Sequence, residues 1–400
     1  MITSVFSKAL EEHISVSRII AKIEGQQSGP TVVFFGGLHG NEAAGVFALQ
    51  KTLQQLDRTK VKGNVVAISG NLKALQAGQR FIKEDLNRLW TADILKALNG
   101  KTQLTNEQIE LFEIYSILKE ILDTYKPPFY FIDLHTTSSK TLPFITINDS
   151  LINRKFSQQF PVPIVLGIEE YLTGPLLSYI NKLGYVSLGF ESGQHDDINA
   201  IKNACAFIKL ALVSARVVDD KEFKDLEQEY TQLKNQAKCV KDVFEVIHLH
   251  RILNGADFKM EPGFKSFQSV KKGESLAMHD GQKITAPKSA KLFMPLYQKR
   301  GKEGFFLIRR IHPFFLKLSA VLRNIKADNL LVLLPGVSWL DKKKGVLQVN
   351  LKVAKFMVKP IFHLLGYRNR ILDDTHIILY NRERVSKTET YKNVGWLNNL

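Results

Sequence analysis

The sequence predicts an α/β fold, in which a mixed, mostly parallel sheet flanked by helices precedes a small β-rich domain and an α+β C-terminal extension. Two observations lead to this prediction. Through residues 18–215, short apolar segments typical of strands alternate with longer segments typical of helices, as in a sheet covered by helices. From residue 243 onward, the pattern changes to short alternating strands joined by glycine-containing turns.

The same patterns predict where one region ends and the next begins. Residues 1–238 form the first domain, which a charged, apolar-spaced helix over residues 219–238 closes. Residues 239–318 form the β-rich domain, and residues 319–400 form an extension whose role the sequence does not indicate. The extension has three predicted elements: strands over residues 329–334 and 375–380, and a helix over residues 349–365.

The first candidate site follows a buried strand. Residues 31–35 (TVVFF) are an apolar run, which Gly36 and Gly37 end in a tight turn. His39 and Glu42 then lie three residues apart at the start of a predicted helix, where such positions share a face. An imidazole and a carboxylate on one face can bind the same metal ion. Taken alone, the pair is a weak signal and is better explained as a solvated helix start.

A second strand adds a nitrogen ligand. Residues 129–134 (FYFIDL) are apolar, and His135 follows directly. Because functional groups of open α/β sheets gather at the carboxyl ends of strands, we expect His135 to lie near His39. His39, Glu42 and His135 would supply two nitrogens and one carboxylate. This is the ligand count of a catalytic zinc ion with one position open for water.

Two further segments supply groups for catalysis and binding. A third strand, residues 186–190, ends at Glu191, whose carboxylate is well placed as a general base for a metal-activated water. The polar segment from Arg80 to Arg88 contains two arginines and the amide of Asn87. Arginine forks suit planar carboxylates and developing oxyanions. Each feature has a structural alternative, such as a capped strand end or a surface loop. Their common placement at element ends favours one shared site.

The motifs G-G-x-H-G-x-E, R-x4-D-L-N-R and D-L-H-T-T-S, followed by a glutamate in E-S-G-Q-H, resemble the succinylglutamate desuccinylase/aspartoacylase family of the zinc carboxypeptidase clan. The resemblance covers roughly residues 18–215. It implies a zinc carboxypeptidase-like sheet, so that residues 1–238 would be a zinc hydrolase catalytic domain with one zinc ion per chain. The activity implied is deacylation, the cleavage of the amide bond of an N-acyl amino acid or a similar small acylated amine.

The resemblance also implies a role for each candidate residue. Glu191 would act as general base and then as general acid, and Asp133 would support the neighbouring zinc ligand rather than bind the metal. Arg80 would polarise the scissile carbonyl, and the substrate would carry a carboxylate. The implied assignments are His39, Glu42 and His135 for zinc, Glu191 and Arg80 for catalysis, and Asn87 and Arg88 for substrate binding.

One departure from the family leaves the substrate open. Aspartoacylases carry an arginine just before the catalytic glutamate that reads an acidic side chain. Residues 171–185 of this chain contain no arginine and only one lysine, Lys182. The residues therefore support the reaction class and leave the acyl group and the amine undetermined. Two alternatives stay open: a carboxypeptidase-like or ester hydrolase on the same zinc site, and a non-catalytic anion- or partner-binding protein.

Composition narrows the class of protein. The chain has 400 residues, of which 44% are hydrophobic, so it can bury a large core. Its only cysteines are Cys205 and Cys239, so no disulfide framework is implied and a reducing compartment is expected. No segment has the features of a signal peptide or the length of a membrane span, so we expect a cytoplasmic protein. Whether the chain forms a homo-oligomer is left open.

The basic charge is concentrated in the second part of the chain. Residues 251–400 hold 28 lysines and arginines against 11 acidic residues, whereas the first 250 residues are nearly neutral. A lysine-rich solvated face explains this excess, and so does a surface that attracts anionic substrates or an acidic partner. Nucleic-acid binding is not expected, because no module for it is present.

Overall fold

The computed structural model describes residues 2–98, 103–253, 255–353, 358–371 and 376–398. Within these ranges the strands form one eleven-stranded sheet and three smaller sheets. No described helix has both the length and the apolar character needed to cross a membrane.

The described elements up to residue 238 comprise nine strands and eight α-helices, and from β4 onward the helices are interspersed among the strands. The strands are β1 (Ile2–Ser7), β2 (Glu12–Ser17), β3 (Ile19–Glu24), β4 (Gln27–Gly36), β5 (Lys62–Ser69), β6 (Phe129–Thr137), β7 (Phe144–Ile147), β8 (Ile164–Leu166) and β9 (Val186–Gln194). The helices are α1 (Ala44–Leu53), α2 (Leu72–Ala77), α3 (Ala92–Leu98), α4 (Asn106–Thr124), α5 (Leu151–Ser157), α6 (Leu176–Leu183), α7 (Ile198–Ser214) and α8 (Leu226–Gln236).

Beyond residue 238 the described elements are mostly short strands. Up to residue 310 they are β10 (Val243–Arg251), β11 (Phe258–Met260), β12 (Ser269–Val270), β13 (Ser275–His279), β14 (Gln282–Thr285), β15 (Ala290–Phe293) and β16 (Glu303–Arg310). The later elements are α9 (Pro313–Asn324), β17 (Val337–Asp341), β18 (Val346–Asn350), α10 (Val358–Leu364), β19 (Tyr367–Ile371), β20 (His376–Asn381) and α11 (Gly395–Asn398).

The large sheet has the order β12-β15-β16-β10-β8-β7-β9-β6-β4-β5-β3. Its centre is parallel, because β4 pairs in parallel with β5 and β6, and β6 with β9. Along β4, Val32 and Phe34 pack in the core that contains α7, whereas Val33 and Phe35 pack in the core that contains α4. Helices therefore cover both faces, as buried parallel strands require. The predicted α/β fold class is confirmed.

The segment after residue 238 continues the same sheet. Strand β10 pairs in parallel with β8 and antiparallel with β16, so it joins the β-rich segment to the parallel centre. Strands β11, β13 and β14 form a separate three-stranded sheet. The division of the chain into three domains stays a prediction.

The C-terminal extension differs from its predicted elements. It contains the antiparallel sheet β17-β18-β20-β19. The strand predicted over residues 329–334 is wrong, because this run lies in a 3-10 helix, Ala327–Leu333. The helix predicted over residues 349–365 is wrong at its start, because Val349 and Asn350 end strand β18. The observed helix begins at Val358, and residues 354–357 lie outside the described residues. The strand predicted from residue 375 is observed from His376, and residue 375 itself is outside the described residues.

Buried charges join the extension to the large sheet. The fully buried side chain of Arg323 places Nη2 2.8 Å from Asp149 Oδ2 and Nη1 2.9 Å from Glu383 Oε1. Glu383 also accepts a hydrogen bond from the backbone N–H of Leu151. Asp149 lies between β7 and α5 and Leu151 begins α5, whereas Arg323 and Glu383 belong to the extension. Because a buried charge is costly without a partner, each side of this contact requires the other.

Replacing Arg323 by methionine is expected to lower the free energy of unfolding by about 3–5 kcal/mol, because the buried carboxylate of Glu383 would lose its arginine and that of Asp149 would lose one of its arginines. Urea denaturation followed by fluorescence measures the shift in midpoint. Arg309→Met is the matched control, since the Arg309 side chain is 69% exposed and its ion pair with Glu245 should contribute about 1 kcal/mol or less. Equal shifts for the two variants would contradict this account of the contact.

Candidate metal centre and active-site pocket

A glycine allows the loop after β4 to pack closely on α2. A Cβ added at Gly40 would lie 2.0 Å from the carbonyl carbon of Ala74, so only glycine fits there. The N–H of Gly40 donates to the carbonyl oxygen of Arg80 at 3.1 Å. These contacts place His39 and Glu42 beside the segment that contains Arg80.

Glu42 lies between two imidazoles. Its Oε1 is 2.8 Å from His39 Nδ1, and its Oε2 is 2.9 Å from His135 Nδ1. The ligand atoms of the three residues all lie within 4.8 Å of one another. The backbone N–H of Thr136 also donates to Glu42 Oε2, at 3.0 Å. The three predicted metal ligands are therefore brought together at the carboxyl ends of β4 and β6.

The outer nitrogen of each imidazole faces another carboxylate. His39 Nε2 is 3.1 Å from Asp85 Oδ1, and His135 Nε2 is 2.6 Å from Asp133 Oδ2. An imidazole that donates its Nε2–H outward turns the lone pair of Nδ1 toward Glu42. Lone pairs facing a carboxylate need a cation or protons between them. The donor set therefore fits a metal ion such as zinc.

The charges around Glu42 keep it ionised. Burial alone would raise the pKa of Glu42, but positive charge on His39 and His135, present when both nitrogens of each ring carry protons, outweighs burial and holds the pKa well below its usual range. The pKa of Asp85 is also lowered well below its usual value, because His39 and Arg80 outweigh burial. Both carboxylates are thus anionic over the physiological pH range, as metal ligation and ligand orientation require.

Glu191 occupies the neighbouring strand. It is the residue of β9 that pairs with His135 of β6. Burial raises its pKa to about 8, because desolvation outweighs the attraction of His135. In the described part of the chain, Oε2 of Glu191 is buried and has no hydrogen-bond partner. Such a carboxyl group can exchange a proton near neutral pH.

Asp85 links the histidine ligands to the arginine segment. Besides His39, it contacts Arg80 Nη2 at 3.0 Å and accepts the backbone N–H of Asn87 at 2.9 Å. Arg80 Nη1 lies 3.7 Å from Glu42 Oε1. The side-chain oxygen of Asn87 accepts the N–H of Leu176, so its amide N–H groups are left for other partners.

One pocket of about 130 Å³ is lined by every candidate residue. These residues are His39, Glu42, Arg80, Asn87, Arg88, His135 and Glu191. Leu172, Pro175 and Leu177, from the segment without arginine, add an apolar wall. The extension contacts one residue of the pocket wall, because Arg382 Nη2 lies 2.8 Å from Glu169, another lining residue.

Three residues of the site were not assigned a role from the sequence. Asp85 and His195 belong to the motifs described above. The neighbouring residues in the sequence do not indicate what these two side chains contact. His195 lies 2.7 Å from the hydroxyl of Thr136. Glu303 pairs with Arg88 at 3.2 Å across 215 residues of sequence, and no local pattern signals such a contact.

The fold and the pocket define the class: an α/β protein with a candidate metal centre at the carboxyl ends of its parallel strands. Residues 28–204, which are less than half of the chain, match the succinylglutamate desuccinylase/aspartoacylase catalytic domain.

Individual relatives match over short segments. The chain is 34% identical over 114 residues to a "Probable aspartoacylase" of Nostoc sp., which is 27% of this chain and 35% of the relative. It is 28% identical over 107 residues to the succinylglutamate desuccinylase of Photorhabdus laumondii, which is 26% of this chain and 33% of the relative. These matches span about a third of the relatives' length.

A solved structure resembles the fold of this chain over a longer range than the sequence relatives do. The succinylglutamate desuccinylase/aspartoacylase from Rhodobacter sphaeroides superposes with a TM-score of 0.56 and 17% identity. The match covers 78% of this chain and 95% of that one. At this identity the likeness concerns the fold alone.

His135→Ala is expected to abolish stoichiometric zinc binding, because it removes one of three ligands and leaves too few to retain the ion. Elemental analysis of zinc-loaded, desalted protein measures the metal-to-chain ratio. His195→Ala is the matched control, since this histidine lines the same pocket but lies outside the converging ligand set. Full zinc content in the His135 variant, or equal loss in both variants, would refute the assignment.

Proposed function

We propose that this protein is a zinc-dependent hydrolase that cleaves the amide bond of an N-acyl amino acid or of a similar small acylated amine. The observation that supports this most is the convergence of His39, Glu42 and His135 in one pocket, next to the buried carboxyl group of Glu191. The match of residues 28–204 to the catalytic domain of this family favours deacylation. A cytoplasmic location stays a prediction.

His39, Glu42 and His135 would hold the metal. Zinc bound there would supply Lewis-acid activation of water and of the scissile carbonyl. Asp85 and Asp133 orient the two imidazoles through their outer nitrogens. The burial of Glu42 and the two histidines limits access of bulk water, which strengthens the electrostatic interactions inside the pocket.

Glu191 would carry the proton. As water attacks the carbonyl carbon, a carboxylate oxygen of Glu191 accepts a proton from it. When the C–N bond breaks, Glu191 returns that proton to the leaving amine nitrogen. The net result is one new C–O bond, one broken C–N bond and an unchanged glutamate. The absence of a protein partner for Oε2, among the described residues, leaves this atom free for the transfer.

Arg80, Asn87 and Arg88 would bind the substrate. The Nε atom of Arg80 is buried, and in the described structure it has no hydrogen-bond partner, so it can donate to a carbonyl oxygen that gains negative charge. Arg88 and the amide N–H groups of Asn87 would hold a substrate carboxylate. The pocket volume of about 130 Å³ supports a small substrate.

Glu191→Gln is expected to lower kcat by ~10²–10⁴, because glutamine keeps the shape and loses the exchangeable proton. The assay is hydrolysis of N-acetyl, N-succinyl and longer N-acyl amino acids by zinc-loaded protein, with zinc content measured alongside. The control is Glu120→Gln, a carboxylate-to-amide change at a side chain that is 67% exposed. Near-normal turnover of the Glu191 variant at full metal occupancy would show that another group transfers the proton.

A further inference from the structure

Glu303 brings a carboxylate from the β-rich segment into the pocket. It is the first residue of β16, and its Oε1 lies 3.2 Å from Arg88 Nη2. The two side chains are 15% and 24% exposed, and both line the pocket. Nearby, Arg300 donates to the carbonyl oxygen of Phe81 and stacks on its ring. This contact fixes the loop before Glu303 against the arginine segment.

The pair changes what Arg88 can bind. A carboxylate docked on Arg88 would lie beside the carboxylate of Glu303, and like charges repel strongly where solvent is partly excluded. The other arginine of the pocket cannot compensate, because Arg80 already contacts Asp85 and Glu42. A ligand that brings only a carboxylate therefore leaves one negative charge without a partner.

We propose that Arg88 and Glu303 form one subsite for a zwitterionic head group, with the ligand carboxylate on Arg88 and its ammonium on Glu303. An α-amino acid head carries these two charges on a single carbon, which matches the adjacent charges of the ion pair. This inference rests on the proposed function, because the acylated nitrogen must be elsewhere on the same molecule. The substrate class is then an α-amino acid whose side-chain amine is acylated.

A purely structural role for Glu303 makes a different prediction. If Glu303 only orients Arg88, its loss weakens every ligand with a carboxylate by the same factor. If it binds the ammonium, its loss weakens only ligands that carry one. Two ligands that differ in the α-ammonium alone therefore separate the two roles.

The experiment compares Nε-acetyl-L-lysine with 6-acetamidohexanoate, which is the same molecule without the α-ammonium. The shorter pair, Nδ-acetyl-L-ornithine and 5-acetamidopentanoate, tests a second chain length. Calorimetry on zinc-loaded Glu191→Gln protein gives the Kd without turnover. We expect the amino member of at least one pair to bind about tenfold or more tightly. Adding Glu303→Gln should weaken that member by about 10- to 100-fold and leave its partner within about threefold.

Three results would overturn the subsite. They are equal affinity for the two members of both pairs, no binding of either pair, and an equal loss of affinity for both members of a pair in the Glu303→Gln variant. Because binding is measured without hydrolysis, the proposed function is tested separately. If the preference for the ammonium holds and protein with intact Glu191 hydrolyses neither these compounds nor the N-acyl amino acids of the assay above, the subsite is supported and the proposed amide hydrolysis is refuted.

Discussion

The carboxylate of Glu42, held between the Nδ1 atoms of His39 and His135, is the contact on which the rest of the site depends. Glu42 is only 3% exposed, and an ionised carboxylate at that depth requires compensating charge. The carboxylates of Asp85 and Asp133 orient the two imidazoles so that their Nδ1 atoms face Glu42. The parallel pairing of β4 with β6 brings the three residues together, although His135 is 93 residues beyond Glu42 in sequence.

Asp85 extends this constraint to the substrate side of the pocket. It contacts His39, Arg80 and the backbone of Asn87, so the orientation of a metal ligand and that of the arginine segment are coupled. A change in the arginine segment is therefore expected to alter the geometry at His39 as well as substrate binding. Arg382 of the C-terminal extension contacts Glu169, so the extension also helps to position a residue that lines the pocket.

Much of the site could be predicted because its residues stand at the ends of strands. His39, His135 and Glu191 follow or end apolar runs, and the parallel sheet then gathers such ends at one edge. Glu303 could not be predicted, because its partner is distant in sequence and a lone glutamate before an apolar strand has no distinctive pattern. The strand prediction for the apolar run at residues 329–334 is wrong for another reason. A short apolar segment has the same periodicity signal in a strand and in a helix, and here Leu331 is buried while Leu330 and Leu333 are exposed.

The most direct test of the account is the coordination of zinc in the loaded protein, measured by X-ray absorption at the zinc edge. We predict a first shell of nitrogen and oxygen atoms at about 2.0–2.2 Å, with the multiple scattering of two imidazole rings. His39→Ala should reduce the imidazole count, as removal of a ligand requires. A shell containing sulfur at about 2.3 Å, or one without imidazole scattering, would contradict the assignment of His39, Glu42 and His135 as the metal centre.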